Sequence, residues 1–281
     1  MKDLPPQFIG FSVFLFGLIV GSFLNVVISR LPKRESIVLP ASHCPVCNTP
    51  IKPYDNIPVL SYVMLGGRCR SCRARISLIY PAVEVMVGIV YLLFYLMDGV
   101  TPAFAGDIVF VSLILPLVFI DYRHKILPNA ITYPGFLILF VLRIMTQLPV
   151  PQNAASHIAS AFVSSPQWTH RLLGALLGAL AGGGSLWLIG WLYLVVRKIE
   201  GMGLGDAKMM AMVGAFLGWE LAFLTIFAAS LIGSVVGVAA MLARGGNLRM
   251  EIPFGVFLGP SAIIALLAGR ELIGWYASLF N

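Results

Sequence analysis

The sequence predicts an all-α polytopic membrane protein, with about eight transmembrane helices and a small cytoplasmic loop domain built on four cysteines. Three observations carry this. Hydrophobic residues fill 59% of 281 positions and charged ones 11%, where a soluble globular domain carries about 25% charged. Several windows reach the roughly 20 apolar residues that cross a bilayer. The basic residues, finally, are concentrated in alternate loops, so the net charge of +7 marks topology and not a nucleic-acid surface.

The first expected span runs from Phe8 to Ile28. No Ala-x-Ala cleavage site follows it, so it reads as a retained helix and not a removed signal peptide. Gly17, Gly21 and Ser22 form a small-residue stripe for close helix packing, and Asn25 is an amide expected to bond a neighbouring helix. Residues 31–77 then break the apolar pattern. With Arg30 they hold eight basic residues against Glu35 and Asp55, and all four cysteines. Cys44-Pro-Val-Cys47 and Cys69-Arg-Ser-Cys72 are separated by twenty-one residues. Two such knuckles supply four thiolates for a tetrahedral, structural zinc. Disulfides are the alternative, and a basic loop argues against them because positive loops stay in the reducing cytoplasm.

A second span covers Leu78 to Met97, with Glu84 one turn inside it as a candidate accessory residue. Its alternative reading is an ion pair with Arg73 or Arg75. The third span, Asp107 to Ile120, ends in Asp121, and basic residues follow at once. The fourth runs from Ala130 to Thr146, and residues 147–171 read as a polar outer loop. The fifth, Leu172 to Val196, carries Gly174, Gly178 and Gly182-Gly183-Gly184. Next comes Gly201-Met202-Gly203-Leu204-Gly205-Asp206, whose glycines Gly203 and Gly205 are expected to free the backbone around Asp206. The 36 residues from Ala207 to Leu242 are too many for one helix, so a turn is expected at Trp219-Glu220. The eighth span ends near Trp275.

With eight spans and both termini outside, 15 of the 19 Lys and Arg residues fall on one side, as the positive-inside rule requires. Asp121 closes the third span and Asp206 opens the sixth. Although 85 residues apart, they are expected at the same depth, at the cytoplasmic boundary. Two carboxylates meeting in a partly dry site do not both ionise readily. One then acts as general base on a water while its protonated partner polarises a scissile carbonyl, which is aspartic-protease chemistry at a membrane surface. An ion- or proton-coupled carrier could use the same two acids, although carriers place them near the midplane and show internal repeats.

The motifs in their order make the chain resemble the bacterial type IV prepilin peptidases, GxGD-type membrane aspartic proteases. They are Gly21-Ser22-Phe23-Leu24-Asn25, the two cysteine knuckles, Asn56-Ile57-Pro58-Val59, Tyr80-Pro81-Ala82-Val83-Glu84, Asp121 with Leu127-Pro128, Gly203-Leu204-Gly205-Asp206 and Pro253-Phe254-Gly255. Asn129 departs from the pattern, standing where many relatives carry an aspartate. The resemblance implies cleavage of a basic leader from prepilins or pseudopilins, then N-methylation of the new N-terminal residue with S-adenosylmethionine as donor. It implies Asp121 and Asp206 as the catalytic pair, Gly203 and Gly205 as active-site loop, and Cys44, Cys47, Cys69 and Cys72 as the zinc site of the bifunctional members. The expected organisation is a first helix over 1–30, a cytoplasmic four-cysteine domain over 31–77 and a protease bundle over 78–281, in the bacterial inner membrane. Prepilins and the lipid bilayer are the expected partners, and nucleic acid is not.

Overall fold

The computed structural model describes residues 5–145, 167–199, 203–243 and 253–279. Most of the expected outer loop 147–171 lies outside the described residues, as do Gly201, Met202, Arg244 and Arg249. The described residues form ten α-helices: α1 Pro6–Arg30, α2 Leu60–Met64, α3 Ile79–Asp98, α4 Pro102–His124, α5 Asn129–Met145, α6 Gln167–Ala179, α7 Ser185–Arg197, α8 Leu204–Leu217, α9 Trp219–Ala243 and α10 Gly255–Ser278. A π turn, Leu180–Gly184, joins α6 to α7. The eight expected apolar helices are present, counting α6–α7 as one. By length and composition six are able to cross a membrane, and α5 is shorter. At 14 residues α8 rises about 21 Å, short of a hydrocarbon core of about 30 Å.

The chain divides into two compact units, Met1–Pro116 and Leu117–Asn281. In the first, α1 and α3 run antiparallel with their backbones touching. A Cβ on Gly17 would stand 2.7 Å from the Gly88 Cα, and one on Gly21 would stand 2.7 Å from the Glu84 Cα. The small-residue stripe therefore does what its composition implied. Asn25 Nδ2 donates to the Tyr80 carbonyl at 3.0 Å, one more bond across the same seam. Gly99, with φ +63°, ends α3, and the Thr101 hydroxyl accepts the Phe104 N–H at 3.2 Å at the start of α4. That start lies earlier than Asp107, so the third span is longer than expected and Asp107 sits inside it.

In the second unit α8 is the core. Met209, Met210, Met212, Val213 and Ala215 are fully buried. Helix α8 packs on α5, on α6 and on the π turn. Gly178 and Gly214 meet backbone to backbone, each leaving no room for a Cβ on the other, and Gly182 sits likewise on the Met210 carbonyl. A Cβ on Gly183 would stand 2.7 Å from the Ala207 carbonyl oxygen. The π turn adds a residue to the helical repeat, so both Gly182 and Gly183 face α8. Gly174 and Gly184, the other glycines of this span, have nothing within 4 Å of an added Cβ.

Gly218, with φ +91°, breaks the long apolar run one residue before the expected turn. A side chain there would strain the left-handed backbone, so glycine ends α8 and lets α9 start at once. Helix α7 shows the opposite surface. Trp187, Leu188, Ile189, Trp191 and Leu192 are all exposed, an apolar face suited to lipid.

Candidate active site and metal centre

Asp121 lies in the last turn of α4 and is 5% exposed; Asp206 lies in the first turn of α8 and is 9% exposed. An acid in a helix's first turn suits the positive end of its dipole, and the Asp206 N–H donates to the Gly203 carbonyl at 3.1 Å. The two carboxyls lie within electrostatic reach of each other. Both also flank Gly255, the first residue of α10. A Cβ built there would stand 2.6 Å from Asp121 Oδ2 and 3.5 Å from Asp206 Oδ1. The two oxygens are thus no farther apart than those two distances together. Asp121 Oδ2 is buried and has no hydrogen-bond partner among the described residues.

The glycines near Asp206 act differently from the sequence expectation. Gly203 caps α8 with φ −70° and ψ 135°, a conformation open to any residue, and Gly205 is inside the helix. Gly205 is needed for approach: a Cβ there would stand 3.0 Å from the Leu127 Cβ. The Leu127-Pro128 motif thereby rests on the turn that carries Asp206. Lys208, one turn of side chains away, donates to Asn129 Oδ1 at 3.0 Å and lies 5.1 Å over the Tyr133 ring. Asn129 thus serves as a neutral acceptor for Lys208. Gly255 was visible in the sequence only as part of a motif, with no role attached. Nothing short of packing could have placed it between the acids, since 49 residues separate it from Asp206.

The cysteines gather in the first unit. The four sulfurs of Cys44, Cys47, Cys69 and Cys72 all lie within 4.8 Å of one another, and no disulfide joins them. Cys44 and Cys72 sulfurs are 3.8 Å apart, matching the edge of about 3.8 Å that zinc–sulfur bonds of ~2.3 Å give a tetrahedron. Each knuckle is the same small hairpin. The Cys44 N–H donates to the Thr49 carbonyl and the Asn48 N–H to the Cys44 carbonyl; Cys69, Ala74 and Arg73 repeat both bonds. Asn48 (φ 56°) and Arg73 (φ 61°) are both left-handed, and bridges His43–Pro50 and Arg68–Arg75 close the two hairpins. The hydroxyl and backbone of Thr49 pull the Cys47 thiol down to about 6, and the backbone of Cys72 and Ser71 lowers Cys69. Burial and the neighbouring cysteines push the Cys72 thiol the other way, up to about 11, so it is the clustering of four sulfurs that fits a thiophilic cation. Two further loop residues brace the knuckles: Arg70 Nε and Nη2 fork onto Asp55 at 2.8 and 2.6 Å.

Glu84 does not pair with Arg73 or Arg75. Its Oε2 accepts the Val59 N–H at 2.7 Å, with the Ser22 side chain beside it. Val59 has φ 61° and ψ −49°, a γ-turn in which the Leu60 N–H donates to the Pro58 carbonyl at 2.5 Å. Such a conformation is strained, above all for a β-branched residue. Glu84 therefore holds the knuckle region against α3 through a bent backbone, in a site separate from the aspartates in sequence.

Two family models match successive segments of this chain. Residues 15–97 match the bacterial peptidase A24 N-terminal domain, and residues 108–238 match the type IV leader peptidase family. Over 93% of this chain and 91% of its relative, the sequence is 36% identical to a Pseudomonas aeruginosa protein named prepilin leader peptidase/N-methyltransferase. Proteins of the same name from Aeromonas salmonicida (33% identity, 95% of this chain, 93% of the relative) and Myxococcus xanthus (40%, 84% and 64%) are also similar. No solved structure matches. On both its matched segments and its relatives across nearly the whole length, this chain belongs to the type IV leader peptidase family.

Proposed function

We propose that this protein cleaves the basic leader peptides of type IV prepilins and pseudopilins, using Asp121 and Asp206 as an aspartic-protease pair. The observation that carries this reading is the meeting of the two buried carboxyls beside Gly255. Family membership leaves the carrier reading without support. In the proposed reaction one carboxylate removes a proton from water, which attacks the carbonyl carbon of the scissile peptide. The protonated partner hydrogen-bonds the carbonyl oxygen as negative charge develops there. Collapse of the tetrahedral species breaks the C–N bond, and the proton taken from water passes to the leaving amine. The pair acts as one titrating unit, so its pH–rate profile belongs to both residues. A prepilin's apolar stem would lie along the bundle, presenting its leader junction to the end of α4.

The basic loops support an orientation with this end in the cytoplasm and the protein in the bacterial inner membrane. We also propose that the protein N-methylates the new N-terminus with S-adenosylmethionine, a reading supported by the names of its relatives. Zinc is the metal that the four-sulfur donor set suits, with a structural role, because four protein ligands leave no position for water. The deciding experiment is cleavage of a prepilin by purified Asp121→Asn and Asp206→Asn variants. Each is expected to insert normally and lose about 10³-fold or more of the cleavage rate; processing at the normal rate by either would overturn the assignment.

A further inference from the structure

The aspartate pair leaves α10 unexplained. Its first two N–H groups, those of Gly255 and Val256, have no helical acceptor, because the first intrahelical bonds run from Phe257 and Leu258 to the Phe254 carbonyl at 3.0 and 3.1 Å. Unsatisfied donors at a helix start carry the positive end of its dipole. Here both approach the Asp121 carboxyl, whose Oδ2 is buried and has no hydrogen-bond partner among the described residues. A Cβ added at Gly255 would stand beside both acids, 2.6 Å from Asp121 Oδ2 and 3.5 Å from Asp206 Oδ1. A methyl group would fill that space and strike a buried carboxylate oxygen.

We infer that Gly255 is a positioning residue of the proposed protease, its missing side chain keeping open the space between the carboxyls where the attacking water is held. The start of α10 forms the third wall of the site. Its two N–H groups face the Asp121 carboxyl, and the absence of a Cβ leaves the approach to both acids clear. This role rests on the peptidase reading above.

The test compares purified wild type, Gly255→Ala, and Gly274→Ala as a control further along the same helix, where an added Cβ meets nothing within 4 Å. Kinetics of prepilin cleavage are measured across pH. Gly255→Ala is expected to lower kcat about 100-fold, the scale of an ångström misplacement at a reacting centre, with KM little changed and the pH–rate profile displaced. Gly274→Ala is expected to behave as wild type. A Gly255→Ala variant with wild-type kcat and profile, beside inactive Asp121→Asn, overturns the inference and leaves the peptidase reading standing. Active Asp121→Asn and Asp206→Asn variants overturn both. Should Gly255→Ala reach the membrane poorly, thermal unfolding decides. Adding Asp121→Ala removes the atom that the new methyl strikes, so the double variant is expected to unfold at a higher temperature than Gly255→Ala alone. An equal or lower temperature overturns the inference.

Discussion

The cysteine knuckles and the aspartate site are built on opposite plans. The four sulfurs of the knuckles come from 29 consecutive residues, on two hairpins that repeat one hydrogen-bond pattern. Each hairpin presents its sulfurs through local geometry, so spacing alone predicts the cluster. The aspartate site instead gathers Asp121, Asp206 and Gly255 from three helices, all three residues buried. No local pattern holds them together; helix packing does. A site built from hairpins tolerates change in the rest of the fold, whereas a site built from helix ends depends on every glycine that lets those helices approach.

The sharpest break of this comparison is chemical. Asp121→Asn and Asp206→Asn are expected to remove cleavage by about 10³-fold or more while metal content of the purified protein stays at the wild-type level. Metal loss in either variant would show that the two regions are not separate. The converse is Cys44→Ser, expected to lose about one equivalent of bound metal, as measured by elemental analysis. Retained metal would mean that the four sulfurs do not act as one site.

A smaller effect is expected at the seam between the knuckles and α3. Glu84→Ala leaves the Val59 N–H without its acceptor and is expected to cost about 1–3 kcal/mol, read as a lowered Tm. Glu84→Gln keeps an oxygen acceptor and is expected to cost less. Equal losses in both variants would place the importance of Glu84 in its charge and not in its bond to Val59.

Smallest is the exposed Asp55–Arg70 fork. Arg70 holds the Asp55 carboxyl below the usual carboxylate range. A depressed folded-state value contributes stability that is present above the unfolded value and lost as pH falls through the folded one. Screening by solvent keeps this contribution small. Acid titration of the wild type is therefore expected to show a slight extra loss of stability below the ordinary carboxylate range, absent in Asp55→Asn. Identical acid profiles would remove the fork as a brace.

Much of this molecule was legible before folding. Gly17, Gly21 and Asn25 announced a packed seam, because small residues and a lone amide in an apolar helix have few other uses. The charge pattern put Asp121 and Asp206 at one depth, and the carboxyls do meet. Other readings failed for physical reasons. Of the two readings open for Glu84, accessory residue or partner of a nearby arginine, the ion pair failed, since sequence shows charges and hides backbone donors such as the Val59 N–H. Gly205 was expected to free the backbone around Asp206, yet it is helical and lets Leu127 pack closely. The turn after α8 fell at Gly218, where a left-handed residue was needed, and not at the more polar Trp219-Glu220.

The membrane class, the cysteine cluster and the two acids were readable along the chain, because composition, charge and short spacings are properties of neighbouring residues. Which backbone meets those acids depended on how the helices pack. Gly255 carries no charge and no side chain, so nothing in a linear reading gives it weight. Its role comes from the start of α10 arriving beside Asp121 and Asp206, and close packing of distant segments is what a one-dimensional pattern does not encode.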